Sequence, residues 1–598
     1  MRLFDNTRSS FHREQIIRLH VDYLGIFLFI FAVSVICRNN TLEIKIFPDH
    51  FGMINSAAKL ANYNWTEVLK LSSYYGPGFY ILFAPVLKII HDPLVLYNFI
   101  VNVDYIVAAL CGVLLHYIIC IELEYANRIT SVIVVSLSTI MTFQTTITTF
   151  SNETPTLFIM LIIILLIIKI VKTQNHLKRG FLCLTICILG LYSLTIHIRN
   201  IVFFLVIAFL LELWAIIKKE KNILKKSLLM ANPFIFLLIG YIAYKFIPGY
   251  FTRVLFQWNE DYSMVNQEIG KINFSYTITE MFDGIFKVLL GNMVVSVKQT
   301  YGIIAISYFI IIKLILNIIK KRHFCFDSSK STCCFVLFSF SALCYLIGLL
   351  GLCVTWMGNM RGTGYWRYYG TYATPMLALS FLFCIERAKE LNKRCTYIAI
   401  ISYSILIKLF LIILVPLLDS YFDFWFVYPF KQGSNNTSIA FSYTMVISLL
   451  GICILFYHFK RKTILYLIFF LACYIFPLAK GGNLNSYTAN NYCDTGYTLI
   501  NALADKGILS KETDLYFIGN DNSYMYYQYM MLENGVKRFL PENDENILVF
   551  SNFDNIDELT GKKGWTMIQL DNNEYVYSFD ADLLERVEDT LGEINENK

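Results

Sequence analysis

The chain has 598 residues, of which 56% are hydrophobic and only 16% are charged, whereas soluble domains carry about 25% charged residues. This deficit excludes an ordinary soluble globular protein, and apolar runs such as residues 157–171 indicate helices that cross a bilayer. The net charge of +6 is the sum of two parts of opposite charge. Residues 485–598 carry 21 acidic and 8 basic side chains, and the remainder of the chain is strongly basic.

A sliding window over the chain predicts about 13 transmembrane helices. They fall at residues 21–37, 95–120, 129–148, 155–171, 181–197, 201–217, 228–247, 301–319, 332–356, 371–386, 396–416, 441–458 and 463–479. If residues 76–90 lie at the interface as a short helix, the basic segments between the later helices all fall on the same side of the membrane as the amino terminus; if residues 76–90 span, those segments all fall on the opposite side. Because lysine and arginine stay cytoplasmic, residues 1–20 are predicted to be cytoplasmic. Residues 21–484 then form the transmembrane domain, and the first external loop comprises residues 38–94.

The first external loop carries the first candidate for chemistry. Asp49 follows the first predicted span closely, and the loop returns to the membrane through short amphipathic helices. A carboxylate that is partly desolvated at a membrane surface becomes a stronger base. On local sequence alone, the favoured alternative is a solvated aspartate that caps a helix beginning near Gly52.

Several charged residues further along the chain map to membrane boundaries or interiors. Arg199, Arg361 and Arg367 fall at predicted outer boundaries, where arginine either binds phosphate through paired hydrogen bonds or lies along the apolar surface as an interfacial residue. Asp104 falls within the second span, and a carboxylate there is expected to face the bundle interior or a polar cavity. His197 is expected to be a hydrogen-bonded structural histidine.

The acidic tail, residues 485–598, is predicted to be a small α/β domain outside the plasma membrane, with a helix-like stretch and short β-rich runs. The helix covers residues 498–507, and the β-rich runs cover 514–518, 547–550, 565–570 and 574–579. Aromatic clusters at residues 365–369 and 524–527 would suit stacking on sugar rings. The alternatives are a membrane-interface belt for the first cluster and core packing for the second, and core packing is favoured there.

The order of these segments resembles a known superfamily. After the loop with Asp49 come Tyr74-Tyr-Gly-Pro-Gly-Phe-Tyr-Ile-Leu82, Phe150-Ser-Asn-Glu-Thr-Pro155, Leu194-Thr-Ile-His-Ile-Arg199 and Arg367-Tyr-Tyr-Gly-Thr-Tyr-Ala-Thr-Pro375. This order resembles the GT-C superfamily of membrane glycosyltransferases, which includes protein O-mannosyltransferases and lipid A aminoarabinose transferases. The resemblance covers the first 220 residues best. It implies an α-helical polytopic membrane protein of GT-C-like fold with a C-terminal extracytoplasmic small α/β domain.

The resemblance also implies an activity, namely hexosyl or pentosyl transfer in cell-envelope glycan biosynthesis. The donor would be a sugar on a polyprenyl phosphate, and the acceptor would be a hydroxyl of a glycan, lipid or protein at the outer face of a bacterial plasma membrane. Asp49 would be the catalytic base of an inverting single displacement. The residues implied to bind substrate and phosphate are His50, Glu153, Arg199, Arg361, Arg367 and Tyr75. Membrane lipid is an expected partner, and nucleic acid is not.

No cofactor follows from the motifs themselves. Asp49 and Glu153 would be the ligands if a Mg²⁺ or Mn²⁺ ion bridged protein and donor phosphate. The chain departs from the superfamily pattern in two ways, because Asp49 is a single aspartate and not part of an Asp-x-Asp pair, and Gly76-Pro-Gly78 replaces a Pro-Pro segment. Metal dependence is therefore not predicted by the motifs.

Two other functions remain open from the sequence. A polymerase or ligase of lipid-linked glycans is also polytopic with external arginines, but it would be expected to keep its main catalytic loop late in the chain. A transporter or flippase of lipid-linked sugars would line its path with Asp104 and the arginines, and it would show inverted repeats and helices broken near the midplane. The best candidate residues come early in the chain, and neither inverted repeats nor helices broken near the midplane are visible. Glycosyl transfer is therefore favoured.

Overall fold

The computed structural model describes a defined set of residues. These are residues 13–38, 48–65, 68, 76, 78–143, 150–218, 233–256, 277–300, 302–321, 329–355, 366, 369–390, 398, 402, 405, 406, 409, 413, 494–508, 515–519, 521–532, 535–538, 547–556, 564–570 and 574–596. For Asp49 it describes the backbone. Of the predicted spans, 441–458 and 463–479 lie wholly outside these residues, as do Tyr75, Arg361 and Arg367.

Helices make up the described part of the chain up to residue 390, as its apolar composition predicts. The helices are α1 Arg13–Arg38, α2 Pro48–Ala61, α3 Ala84–Leu87, α4 Pro93–Tyr117, α5 Arg128–Phe143, α6 Glu153–Lys172, α7 His176–Ile196, α8 Ile201–Lys218, α9 Pro233–Phe256, α10 Ile278–Gln299, α11 Ile303–Lys321, α12 Ser329–Thr355 and α13 Thr374–Glu390. Three 3-10 turns, at Tyr80–Phe83, Ile198–Asn200 and Gly370–Ala373, precede α3, α8 and α13, and a π-helical turn, Ile118–Glu122, extends α4.

The long helices have the dimensions of membrane spans. Among the described residues, five are long and apolar enough to cross a bilayer. They are Leu19–Ile36, Pro93–Glu122, Glu153–Lys172, His176–Ile196 and Lys330–Gly351, with shorter apolar helices at Arg128–Phe143, Ile235–Ile247, Ile303–Leu316 and Gly370–Glu386. The chain is therefore a multi-pass membrane protein, and the total of about 13 spans stays a prediction.

The chain divides into two compact units that do not follow the linear sequence. The first unit comprises Met1–Asn40, Val101–Tyr250 and Asp261–Gly482. The second comprises Thr41–Ile100, Phe251–Glu260 and Asn483–Lys598. The sequence predicts separate limits for the first external loop and the tail, and those limits stay a prediction. In the structure, residues of both segments share one compact unit.

Polar contacts tie the helices of the first unit at the end opposite to the α6 amino terminus. Arg128 at the start of α5 donates from Nε to Asp22 Oδ2 of α1 at 2.7 Å. Glu122, at the end of α4, is buried and accepts from Lys172 Nζ of α6 at 2.8 Å. A charged side chain is costly in hydrocarbon unless it is paired, so these pairs fix which helices are neighbours.

The segment at residues 76–90 does not contain a spanning helix in its described part. Tyr80–Phe83 and α3 follow one another and cover eight residues, which is about 12 Å of helix against a hydrocarbon core of about 30 Å. Pro85 lies in the first turn of α3, where proline is tolerated because its missing N–H has no helical partner. These short turns fit the interfacial position predicted from the charge pattern.

The tail forms the predicted α/β domain. Its helices are α14 Asp494–Asp505, α15 Asp521–Met530 and α16 Ala581–Glu596, and its strands are β1 Leu515–Ile518, β2 Leu548–Ser551, β3 Thr566–Gln569 and β4 Tyr575–Ser578. The sheet order is β1-β2-β4-β3, with β1 and β2 parallel and the other pairs antiparallel. All four strands lie within the predicted β-rich runs to within a residue.

One face of the tail sheet explains the aromatic cluster at residues 524–527. Tyr527 of α15 packs on Phe517 of β1 and Phe550 of β2, with ring centroids 5.0 and 5.3 Å away. Tyr524 and Tyr526 are buried in the same helix. Core packing is therefore confirmed for this cluster, and its rings are not free to stack on a sugar.

Candidate functional site

A buried polar cluster surrounds the amino-terminal end of α6 in the first unit. The backbone N–H of Ser151 donates to Asp104 Oδ2 of α4 at 2.6 Å, and both side chains are buried. This contact confirms that Asp104 faces the bundle interior. A carboxylate at a helix amino terminus is favoured because the unpaired N–H groups there carry partial positive charge.

An ion pair forms the centre of this cluster. Arg199 Nη2 donates to Glu153 Oε1 at 2.7 Å, and the Glu153 side chain is only 3% exposed. Arg199 also donates from its backbone N and from Nε to His197 Nδ1, at 3.1 and 3.3 Å. The prediction of a hydrogen-bonded His197 is therefore confirmed. The Arg199 guanidinium lies 5.4 Å from the centroid of the Tyr369 ring, within the range of a cation–π contact.

Hydrogen bonds hold the turns around the ion pair in place. Asn200 Nδ2 donates to Thr156 Oγ1 of α6 at 3.2 Å and to the Ser193 carbonyl of α7 at 2.8 Å. Tyr372 donates from its hydroxyl to Asn200 Oδ1 at 2.8 Å. These buried bonds connect the turn before α8 with the turn before α13. The position of Arg199 is thereby fixed from both sides.

Some buried polar atoms of this cluster have no hydrogen-bond partner among the described residues. Asn152 is 1% exposed, and neither its amide nitrogen nor its amide oxygen is paired within the described part of the chain. Glu153 Oε2 and Thr371 Oγ1 are also buried and also have no hydrogen-bond partner among the described residues. An unpaired buried polar atom costs about 1–3 kcal/mol, so such atoms mark the groups that a polar ligand would satisfy.

The chemistry of the cluster follows from these groups. Arg199 supplies a fixed cation, and arginine binds phosphate and carboxylate oxygens through paired N–H groups. Glu153 Oε2 accepts hydrogen bonds, and the Asn152 amide both accepts and donates them. The cluster can therefore bind a ligand that carries both negative charge and hydroxyl groups.

Two other predicted site residues, Asp49 and His50, belong to the second unit. His50 is buried in α2, and Asp49 lies in the first turn of the same helix. For Trp366 alone, the structure corrects both interpretations of the aromatic cluster at residues 365–369, because residues 365, 367 and 368 lie outside the described residues. Its ring is buried, and its indole N–H donates to the Met141 carbonyl of α5 at 3.3 Å, so it belongs neither to a membrane-interface belt nor to an exposed sugar platform.

Reasoning from the sequence missed Asn152, Asn200 and Tyr372 as members of the cluster. All three lie within or beside segments that resemble the superfamily. The signal that was available is the asparagine directly before Glu153, because a polar side chain at a predicted span boundary needs a partner. The hydrogen bond between Asn200 and Tyr372 joins residues 172 positions apart, and no local pattern indicates it.

A metal role for Asp49 and Glu153 stays a prediction. Within the described ranges, no three or more histidine, cysteine, aspartate or glutamate side chains are grouped so that they could hold an ion. One Glu153 oxygen is engaged by Arg199, and the other has no partner among these residues. That second oxygen is the atom a cation or a ligand hydroxyl would contact.

Comparisons with known proteins address the fold. No family model matches the chain, and no curated protein matches it in sequence. The solved structures similar to it include two of ArnT from Cupriavidus metallidurans. The structure bound to undecaprenyl phosphate is 10% identical, covers 95% of this chain and 99% of its own, and has a TM-score of 0.51. The apo structure is 11% identical over the same shares, with a TM-score of 0.48.

The likeness to the undecaprenyl-phosphate complex extends over 95% of this chain. ArnT is a lipid A aminoarabinose transferase with the GT-C fold. At 10% identity the likeness establishes the fold. The GT-C-like architecture predicted from the order of the motifs is therefore confirmed, including the added α/β domain.

Proposed function

We propose that the protein is an integral-membrane glycosyltransferase that moves a sugar from a polyprenyl-phosphate-linked donor to an acceptor hydroxyl. The fold supports this proposal, because a protein of the same architecture has been solved with undecaprenyl phosphate bound. The observation that carries it is the Arg199–Glu153 ion pair beside Asn152, whose buried amide has no hydrogen-bond partner within the described residues. A sugar phosphate offers both the negative charge and the hydroxyl groups that these side chains would bind.

The proposed reaction is a single displacement at the anomeric carbon. The Asp49 carboxylate takes the proton of the acceptor hydroxyl as that oxygen attacks the anomeric carbon. The bond between this carbon and the phosphate oxygen breaks with inversion, and its electrons leave with the polyprenyl phosphate. Fixed cations stabilise the negative charge that develops on the phosphate, and we assign this role to Arg199, Arg361 and Arg367, with His50, Glu153 and Tyr75 contacting substrate.

The experiment that tests the proposal measures release of free polyprenyl phosphate. Purified protein in lipid is offered a panel of polyprenyl phosphosugars, hexosyl and pentosyl, with acceptors from cell-envelope glycans, lipids and proteins. We expect release that depends on the acceptor. A protein that neither releases nor binds polyprenyl phosphate across the panel would contradict the proposal.

We also propose an orientation in a bacterial plasma membrane. The amino terminus is cytoplasmic and the α/β domain is outside, because the basic segments between helices then all fall in the cytoplasm. Reporter enzymes fused after residue 598 test this orientation. A reporter enzyme that is active only outside the cytoplasm should be active, and a reporter that fluoresces only in the cytoplasm should give no fluorescence. The reverse pattern would refute the orientation.

Replacing Asn152 separates a ligand-binding role from a structural one. Asn152→Leu removes two buried polar atoms that have no partner in the described part of the chain. It should leave the free energy of unfolding unchanged or raise it by about 1 kcal/mol. We expect kcat/KM for the donor to fall about tenfold, since lost hydrogen bonds of about 1.4 kcal/mol have that effect. Thermal unfolding and steady-state kinetics measure the two quantities.

A matched control exists in α5. Thr139 is also buried, and its hydroxyl has no partner within the described ranges. Thr139→Val removes a buried hydroxyl that belongs to a different helix and has no partner among the described residues, and it should leave kcat/KM unchanged. Equal kinetic effects of the two substitutions would exclude Asn152 as a donor-binding residue.

A further inference from the structure

The first external loop and the tail domain make direct contact within the second unit. Trp65, four residues after α2, is 1% exposed, and its indole N–H donates to the Leu532 carbonyl of the tail at 2.7 Å. A buried tryptophan N–H needs such a partner. The acceptor residue is itself constrained, because Leu532 has a φ of +42°, a left-handed conformation that costs a non-glycine residue about 1–3 kcal/mol and persists only where surrounding contacts hold it.

A tail tyrosine packs between helix α2 of the loop and the first turns of α4. Tyr529 of α15 is fully buried. Its ring makes edge-to-face contacts with Phe51 of α2 and with Tyr97 of α4, at centroid distances of 6.4 and 6.2 Å. Its hydroxyl donates to the Pro93 carbonyl at 3.4 Å. Burial raises the pKa of this phenol well above its ordinary value, so Tyr529 stays neutral in this contact.

Phe51 connects this contact to the candidate base. Phe51 packs edge-to-face on Trp65 with centroids 4.8 Å apart, so the two loop aromatics and Tyr529 form one continuous cluster. Phe51 lies two residues after Asp49 in the first turns of α2. The backbone of a helix is held together by hydrogen bonds between successive turns. Contacts that fix Phe51 therefore also fix the first turn of α2, which contains Asp49.

A third contact leaves no room for a side chain. A Cβ at Gly535 would lie 2.6 Å from Nδ2 of Asn64 and 2.9 Å from its backbone oxygen. Atoms do not approach so closely, so a methyl group there would push the tail away from the loop. The loop and the tail are thus joined by an indole hydrogen bond, an aromatic cluster and a close backbone approach.

We propose that the α/β domain positions the catalytic helix α2, with Trp65 and Tyr529 as positioning residues for Asp49. This inference rests on the proposed function, and it gives the tail a role in catalysis without any contact between its residues and substrate. A helix that carries a base must be held closely, since a displacement of about 1 Å costs about a hundredfold in rate.

A pair of identical substitutions in the tail tests the inference. Gly535→Ala adds a methyl group against Asn64, whereas Gly592→Ala adds one to α16, where nothing lies within 4 Å. Hydrogen–deuterium exchange is followed in α2 and, as a check on the tail itself, in strands β2 and β4. We expect exchange in α2 to rise about tenfold or more in Gly535→Ala alone, with both strands protected in both variants.

Kinetics in the polyprenyl phosphate assay supply the second readout. Gly535→Ala should lower kcat by about tenfold to a hundredfold and change the donor KM less, because the base moves with α2 whereas Arg199 and Glu153 belong to the first unit. Gly592→Ala should match the wild type. Equal exchange in α2 and equal kcat in the two variants would overturn the inference.

Substitutions of Tyr529 extend the test should Gly535→Ala unfold the tail. Tyr529→Phe keeps the ring between Phe51 and Tyr97 and should behave as wild type, whereas Tyr529→Ala should loosen α2 and lower kcat. A wild-type protein that protects α2 but transfers no sugar would overturn the proposed function. A wild-type protein that transfers sugar while Tyr529→Ala leaves α2 and kcat unchanged would overturn the positioning role.

Discussion

Asp49→Asn is expected to lower acceptor-dependent release of polyprenyl phosphate by roughly a hundredfold or more, the usual contribution of a general base. The amide has almost the same shape as the carboxylate, but it cannot take a proton from the acceptor hydroxyl. The attacking oxygen then keeps its proton until late in the reaction, which raises the barrier. Single-turnover release of polyprenyl phosphate measures this effect directly.

A matched aspartate in the same unit provides the control. Asp92 accepts from the backbone N–H of Val95 at 2.8 Å and caps the start of α4. Asparagine caps a helix as well as aspartate does, so Asp92→Asn should preserve both the fold and the turnover. If Asp49→Asn turned over at the wild-type rate, Asp49 would not be the base, and another group would have to deprotonate the acceptor.

The second large effect concerns the buried ion pair. Arg199→Gln leaves the Glu153 carboxylate buried without its cation, and breaking a buried pair in this way costs about 3–5 kcal/mol. We therefore expect a large loss in the free energy of unfolding, measured by denaturant titration in detergent. Turnover should fall about a hundredfold or more, because a fixed donor to the leaving phosphate is lost.

The double variant Arg199→Gln with Glu153→Gln separates the two effects. Removal of both charges should restore stability to within about 1 kcal/mol of wild type, since neither charge is then buried alone. Turnover should stay low, because the cation that the reaction needs is still missing. Recovery of turnover together with stability would show that the ion pair is structural and has no part in catalysis.

A second ion pair, which is half-buried, makes the comparison specific. Arg128 and Asp22 join α5 to α1 through a hydrogen bond of 2.7 Å. The double variant Arg128→Gln with Asp22→Asn removes the same types of charge at the other end of the bundle. It should fold and turn over like the wild type, which distinguishes the loss of a particular cation from the loss of any ion pair between helices.

The parts of the fold that depend on local pattern could be predicted from the sequence. The tail strands lie within the predicted β-rich runs because β-branched and aromatic residues favour a pleated, half-buried surface. The inward position of Asp104 follows from the cost of a carboxylate in hydrocarbon, whatever its partner. Its actual partner, the backbone N–H of Ser151, depends on how two helices pack and could not be predicted.

The cluster around Arg199 shows the same limit in the candidate site. Arg199 and Glu153 could be selected singly, because charged residues at span boundaries are conspicuous in an apolar chain. Their pairing could not, since it joins residues 46 positions apart. Trp366 shows the reverse error, because an aromatic residue at a span boundary is usually interfacial, whereas here helix packing encloses it.

The contact between Trp65 and Leu532 has a consequence for biosynthesis, because the two residues are 467 positions apart in the chain. At about 5–20 residues per second, a ribosome needs about 20 to 90 seconds to make the intervening segment. During that time the helix with Asp49 has left the ribosome without the domain that packs against it. In a nascent chain, Asp49 would thus lie on a helix that is not yet held in position. The chain would gain activity only when its last hundred or so residues had folded.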